Sequence, residues 1–196
     1  MQVRKKKTII AIIIIATAII YLIIFLGLNN WNSAVKKEMA IKYPNAEYIV
    51  QSREYQEGKV IFHCITKDEY QILFDVSCTW GNYLTPMGPL PFPERYCLIN
   101  LDEKICEKVA AEAIGYDVSG KMLNDDQTLD GIMEYLNQVY GQAESLCGYY
   151  GFRGVPKIVV PIRRNGKDIP ISYSGSEHSY YREYLREELG QEDSVN

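Results

Sequence analysis

The sequence predicts an α+β protein, with an N-terminal transmembrane helix followed by an extracytoplasmic domain of antiparallel sheet and packed helices. Three observations carry that reading. Ile9 to Leu28 holds no charged residue and follows Arg4, Lys5, Lys6 and Lys7 with only Thr8 between. Three strand-like runs follow one another between Glu47 and Trp80 with short connections. Two long helical patterns then come before a final hairpin and a charged helix.

The apolar run sets the organisation of the chain. At 1.5 Å rise per helical residue, twenty residues reach about 30 Å, the thickness of a bilayer's hydrocarbon core. A cleaved signal peptide also begins with basic residues and an apolar run, but its core is about 7 to 15 residues long. The small-residue pattern Ala16-Thr17-Ala18 lies inside the run, where it is no cleavage site. Twenty uncharged residues also leave no polar face for a helix at the surface of a globular domain. The expectation is therefore a basic cytoplasmic tail (1–8), an anchor in membrane lipid (9–28) and an outer domain (29–196). The basic flank places the N-terminus in the cytoplasm and the C-terminal domain outside the cell membrane.

Four of the 21 basic residues lie in the tail, which leaves 17 against 25 acidic residues beyond it, a net charge of −8. That balance argues against a nucleic-acid partner. Fifteen of the sixteen tyrosines also lie beyond the run. Tyr has an apolar body and a polar tip, which suits half-buried sheets as well as recognition surfaces.

Within the outer part, Ser33 to Tyr43 reads as a short helix ended by Pro44-Asn45. Glu47 to Tyr55 and Lys59 to Thr66 are strands joined by the turn Glu57-Gly58. Gln71 to Trp80 is a third strand. In it Ile72, Phe74, Val76, Cys78 and Trp80 alternate with more polar residues, the period of a half-buried strand. In the second strand Val60, Phe62 and Cys64 share a face. Gly81 to Glu94 contains four of the eight prolines, and reads as a connector between possible halves 34–83 and 95–190. Asp102 to Ile114 reads as a helix with Asn100 or Asp102 near its cap. In Thr128 to Tyr149, Leu129, Ile132, Met133, Leu136, Val139, Tyr140, Ala143, Leu146, Cys147 and Tyr150 form one stripe at 3.6-residue spacing. Val155 to Ile162 and Asp168 to Tyr173 form a hairpin around Asn165-Gly166, with Pro161 and Pro170 suited to edges. Glu177 to Leu189 is the last helix. The three strands and the hairpin either share a sheet or form two.

The basic tail, the single span, the short helix ending in Lys42-Tyr43-Pro44 and the strand meander resemble membrane-anchored proteins of Gram-positive bacteria that have no assigned activity. The outer domains of those proteins pack a helix on an antiparallel sheet in the manner of cystatin-like folds. The resemblance covers about Lys5 to Tyr83. It implies the anchor and the helix-on-sheet arrangement, and brings no catalytic residues.

Five cysteines, Cys64, Cys78, Cys97, Cys106 and Cys147, admit fifteen pairings of four with one left over. Cys64 and Cys78 are the preferred disulfide, because both lie on apolar faces of neighbouring strands. Equally, both read as small buried hydrophobes. No CxxC spacing indicates zinc or thioredoxin-like chemistry. His63 neighbours Cys64, but adjacent strand residues face opposite ways. A Cys147–His178 dyad lacks any local support. Asp125, Asp126 and Asp130 offer oxygen ligands without the remaining signature of a calcium loop, and acids at a helix start also answer the helix dipole. No phosphate loop, HExxH or GxSxG is present. No catalytic, cofactor or metal residues are therefore assigned. The reading is a noncatalytic binding or accessory protein, with an envelope protein as an unidentified partner. The alternative is a cell-envelope enzyme working through a thiol or carboxylate site.

Overall fold

A computed structural model describes residues 13–20, 31–81, 94–123, 125–175 and 178–190. Residues 13–20 are helical. Among the described residues no helix is long and apolar enough to cross a membrane. The other parts of the apolar run, 9–12 and 21–28, lie outside the described residues.

The rest of the chain is α+β. Helix α1 (Trp31–Lys42) precedes a four-stranded antiparallel sheet in the order β1 (Tyr48–Gln56), β2 (Lys59–Thr66), β3 (Leu73–Gly81) and β4 (Glu94–Ile99). Then come α2 (Leu101–Glu112), the two-residue β5 (Tyr116–Asp117), α3 (Asp126–Tyr149), β6 (Ile158–Arg164), β7 (Lys167–Tyr173) and α4 (His178–Gly190). The hairpin β6–β7 forms a separate sheet, with β5 added in parallel to β6. β4 belongs to the first sheet, so that sheet extends past the Pro-rich connector. Of the Gly81–Glu94 segment, 82–93 lies outside the described residues.

Local chemistry explains the turns. Glu57 and Gly58 have φ of 47° and 78°, and Asn165 and Gly166 have 50° and 80°. Positive φ at both central residues is the type I′ turn, whose twist matches that of the flanking strands. Between β2 and β3, Asp68 accepts the hydroxyl of Thr66 and the Tyr70 N–H, each at 3.0 Å. The Thr66 oxygen in turn accepts the Ile72 N–H at 2.9 Å. This turn fixes the register Ile65 opposite Leu73.

That register corrects the expected disulfide. Cys64 and Cys78 do share the buried face, but Cys64 stands opposite Phe74 and Cys78 opposite Val60. They are four residues apart along the ladder, about 13 Å at strand rise, too far for a bond. Cys78 is instead bonded to Cys97, its partner on β4, with the Cα atoms 4.2 Å apart. That separation is typical of directly opposed residues in a non-hydrogen-bonded antiparallel pair. Cys64 is a free, buried thiol.

The expected edge role of the two prolines is also modified. Pro161 and Pro170 face each other across β6 and β7, and β6 is the central strand. Neither has an N–H, so they fit a non-hydrogen-bonded position of that ladder. β5 pairs only with Ile162 and Arg163, so it makes no demand at Pro161.

One hydrophobic core runs through both sheets. α2 packs on β3 of the first sheet and on β6 of the second, and α3 packs on α2, β6 and α4. The apolar stripe of α3 is buried at Leu129, Ile132, Met133, Leu136, Val139, Ala143 and Cys147, while Tyr140 and Leu146 are half-buried. Buried Arg164 donates to the Leu189 carbonyl near the end of α4.

The segment Lys42-Tyr43-Pro44-Asn45 ties the first helix to the second half. The Tyr43 hydroxyl donates to the Asp102 carboxylate and accepts the Asp102 N–H at 3.1 Å, while Lys42 Nζ lies 3.2 Å from the same carboxylate. Asn45 donates from its backbone to the Tyr150 carbonyl and from its side chain to that of Tyr149, at the end of α3. Gly151 closes this junction at φ 80°, where a Cβ would stand 2.7 Å from Pro44 Cγ.

Candidate functional site

α1 lies over β3 and β4. β1 is therefore left uncovered, and eight of its nine residues are exposed. A bulge at Gln51 breaks its pairing, with Val50 opposite Cys64 and Ser52 opposite His63. Cross-strand partners share a face. Tyr48, Val50 and Arg53, opposite Thr66, Cys64 and Phe62, thus lie on the side of the sheet that carries α1.

The space between β1 and the start of α1 is a cavity of about 750 Å³. Tyr48 and Val50 supply its exposed apolar lining, with the buried Val35 and Phe62 at its floor. Lys36, Arg53 and Lys67 bring three positive charges, against one negative charge from Glu47. Among the described residues, none of these three basic groups is in an ion pair. By contrast Lys42, Lys104, Lys108, Arg163, Arg182 and Arg186 all meet carboxylates. The Arg53 guanidinium lies 5.4 Å from the Tyr55 ring centre, an arrangement that leaves its N–H groups available. Beside the cavity, burial pushes the Tyr48 phenol up and lifts the Cys64 thiol to about 12. Both groups are neutral at physiological pH, so the charge of the site comes from its rim.

The residues singled out in the sequence lie elsewhere. His63 is on the opposite face of the sheet from Cys64, with Nδ1 2.7 Å from Asp75 and Nε2 3.9 Å from Glu54. Cys147 is buried and hydrogen-bonded to Cys106. Donation toward Cys106, together with burial, raises the Cys147 thiol, and the same contact lowers Cys106. The His178 side chain lies outside the described residues. Asp125 caps α3, accepting the Gln127 N–H at 3.2 Å and the Thr128 hydroxyl at 3.3 Å. Asp126 and Asp130 pair with Arg186 and Arg182 of α4. The acidic cluster is thus engaged in capping and in helix–helix ion pairs.

Sequence reasoning did not find Lys36, Arg53 or Lys67. The one signal, for Arg53 alone, is the broken alternation of β1 after Val50, where Gln51 and Ser52 intervene.

No protein-family model, curated protein or solved structure matches this chain.

Proposed function

We propose that this chain is a membrane-anchored extracytoplasmic binding protein. Residues 9–28 form its single span, the N-terminus is cytoplasmic, and the cavity between α1 and β1 is where it takes its ligand. The cavity carries the reading: its volume falls in the range of about 300 to 1,000 Å³ usual for small-molecule sites, and it combines apolar walls with a few polar groups. The Cys78–Cys97 bond supports an oxidising compartment. The three free thiols are all buried, Cys64 and Cys147 are also raised, and Cys106, though lowered, is engaged with Cys147, so the thiol-enzyme alternative gains no support here. The helix-on-sheet likeness to Gram-positive anchored proteins belongs to the same proposal.

Two measurements test it. Protease added to intact cells stripped of any wall is expected to remove the outer domain, and complete protection until lysis would overturn the topology. A photoreactive residue replacing Val50 is expected to capture a ligand in native membranes, whereas one replacing Leu98, exposed on β4, is not. Equal capture at both positions, or none at Val50, would overturn the cavity as the binding site.

A further inference from the structure

The rim charge and the position of the cavity narrow the ligand. An outer region of net charge −8 gathers three basic side chains and one acidic one around a single apolar cavity. Such a local reversal of sign draws anions to that place while the rest of the surface repels them. The apolar surface of Tyr48 and Val50 has nothing to offer a bare inorganic anion, and it suits a hydrocarbon part of the same molecule.

Asn32, Val35 and Lys36 line the cavity from the first turns of α1. Asn32 follows Leu28, the end of the apolar run, by four positions. Even a fully extended chain spans at most about 3.6 Å per residue, so Asn32 is no more than about 14 Å from that end. With the run in the bilayer, the mouth of the cavity is within reach of the lipid headgroup layer.

We propose that this cavity binds the anionic phosphate head and adjoining chain of a membrane phospholipid. Lys36, Arg53 and Lys67 around the rim would attract the phosphate, and Tyr48 and Val50 would cover the first part of the hydrocarbon, with Val35 and Phe62 packed beneath them. This rests on the membrane-anchored binding reading above and specifies its ligand. Arg53 reaches the rim because the Gln51 bulge shifts the phase of β1. In an unbroken alternation from Tyr48 and Val50, Ser52 would take the inner place and Arg53 the outer one.

The test uses the full chain in zwitterionic phosphatidylcholine nanodiscs. It is titrated with three probes: dihexanoyl phosphatidylglycerol below its micelle concentration, dihexanoyl phosphatidylcholine and glycerol phosphate. Only the phosphatidylglycerol probe is expected to bind saturably. K36Q, R53Q and K67Q should each weaken it about fivefold, and the triple variant about a hundredfold, given the usual contribution of a basic residue near an anionic lipid surface. All three side chains are exposed, so the variants should fold, and their unchanged thermal unfolding verifies this. V50E should weaken the same probe.

Equal binding of glycerol phosphate would show a soluble anion site and overturn the proposal. Equal binding of phosphatidylcholine, or a triple variant that binds as the parent does, would overturn the role of the charges. An acidic peptide that displaces the phosphatidylglycerol probe and binds more tightly would assign the site to protein partners and overturn it also. Capture at Val50 of something other than lipid would end this ligand class while leaving the binding cavity standing, whereas no capture there would end both.

Discussion

Replacing Tyr43 by Phe tests the junction between α1 and the second half of the fold. The change removes one oxygen and keeps the ring, which stacks on Phe152 with centroids 5.5 Å apart. No cavity opens. What is lost is the hydrogen bond donated to the Asp102 carboxylate and the one accepted from the Asp102 N–H in the first turn of α2. A hydrogen bond to a charged group is worth about 1.5 to 3 kcal/mol. Lys42 remains 3.2 Å from the carboxylate, so Asp102 is not left as an unpaired charge, and the larger loss of about 3 to 5 kcal/mol for a broken buried pair does not apply. Removing the phenol also removes the cost of drying it, which offsets part of the loss. The expected destabilisation is about 2 kcal/mol. Urea unfolding of the full chain in mild detergent measures it, with the midpoint falling by about 1 M at unchanged slope. Asp102→Asn combined with Tyr43→Phe should cost less than the sum of the two, because they share the bond. A single-variant change within about 0.5 kcal/mol, or strict additivity, would refute the assignment of stability to this contact.

Other outcomes follow from burial. Leu136→Ala, at a position with no exposed surface, should cost about 2 to 5 kcal/mol, whereas Glu134→Ala on the exposed side of α3 should change stability by no more than about 0.5 kcal/mol, both read by urea titration. Nonreducing peptide mapping should recover Cys78 linked to Cys97, and a Cys64–Cys78 peptide would contradict the register. With its thiol at about 12, Cys64 holds only about one part in ten thousand as thiolate at pH 8, so iodoacetamide should label it only after unfolding. Burial raises the phenols of Tyr43, Tyr48, Tyr135, Tyr140, Tyr150, Tyr173 and Tyr184 above their unfolded value. Stability from this source is complete below about pH 10 and is lost as pH rises beyond it, because the unfolded chain sheds those protons first. The share of phenolate absorbance that belongs to these seven phenols should therefore rise together with loss of secondary structure, and their ionisation in a chain whose secondary structure is intact would count against it.

The elements that were legible in the sequence are those whose pattern is local. β2 and β3 declared themselves by alternation, α3 by its stripe, and both I′ hairpins by a turn dipeptide ending in Gly. β4 did not. Its six residues follow a Pro-rich stretch, and what makes them a strand is the free edge of β3, on the other side of residues 82–93. The disulfide is hidden with it: without a strand around Cys97, the sequence offers Cys78 only β2 as a neighbour, where the register sets Val60 opposite it. β5 was illegible for another reason: two residues carry no period, and they pair only because α2 and α3 bring them beside β6. The cavity was hidden for a third. Lys36, Arg53 and Lys67 come from a helix, a strand and a turn, and only the placement of α1 toward β3 and β4 gathers them.

The bond between Cys78 and Cys97 also bears on how freely this protein can change. It joins β3 and β4 close to where residues 82–93 leave one strand and return to the other. In an unlinked hairpin, lengthening such a connection costs folding free energy, about 0.6 kcal/mol for each doubling. Here the covalent link holds the two ends together in the unfolded chain as well, so most of that cost falls equally on both states and cancels. The register of the sheet is thereby decoupled from the length and composition of the connection. Substitutions, insertions and even a grafted module between Asn82 and Pro93 should accumulate without penalty to the fold while the bond persists. Under reduction the same changes would become destabilising, so this stretch can drift or acquire new roles only in a compartment that keeps its base oxidised.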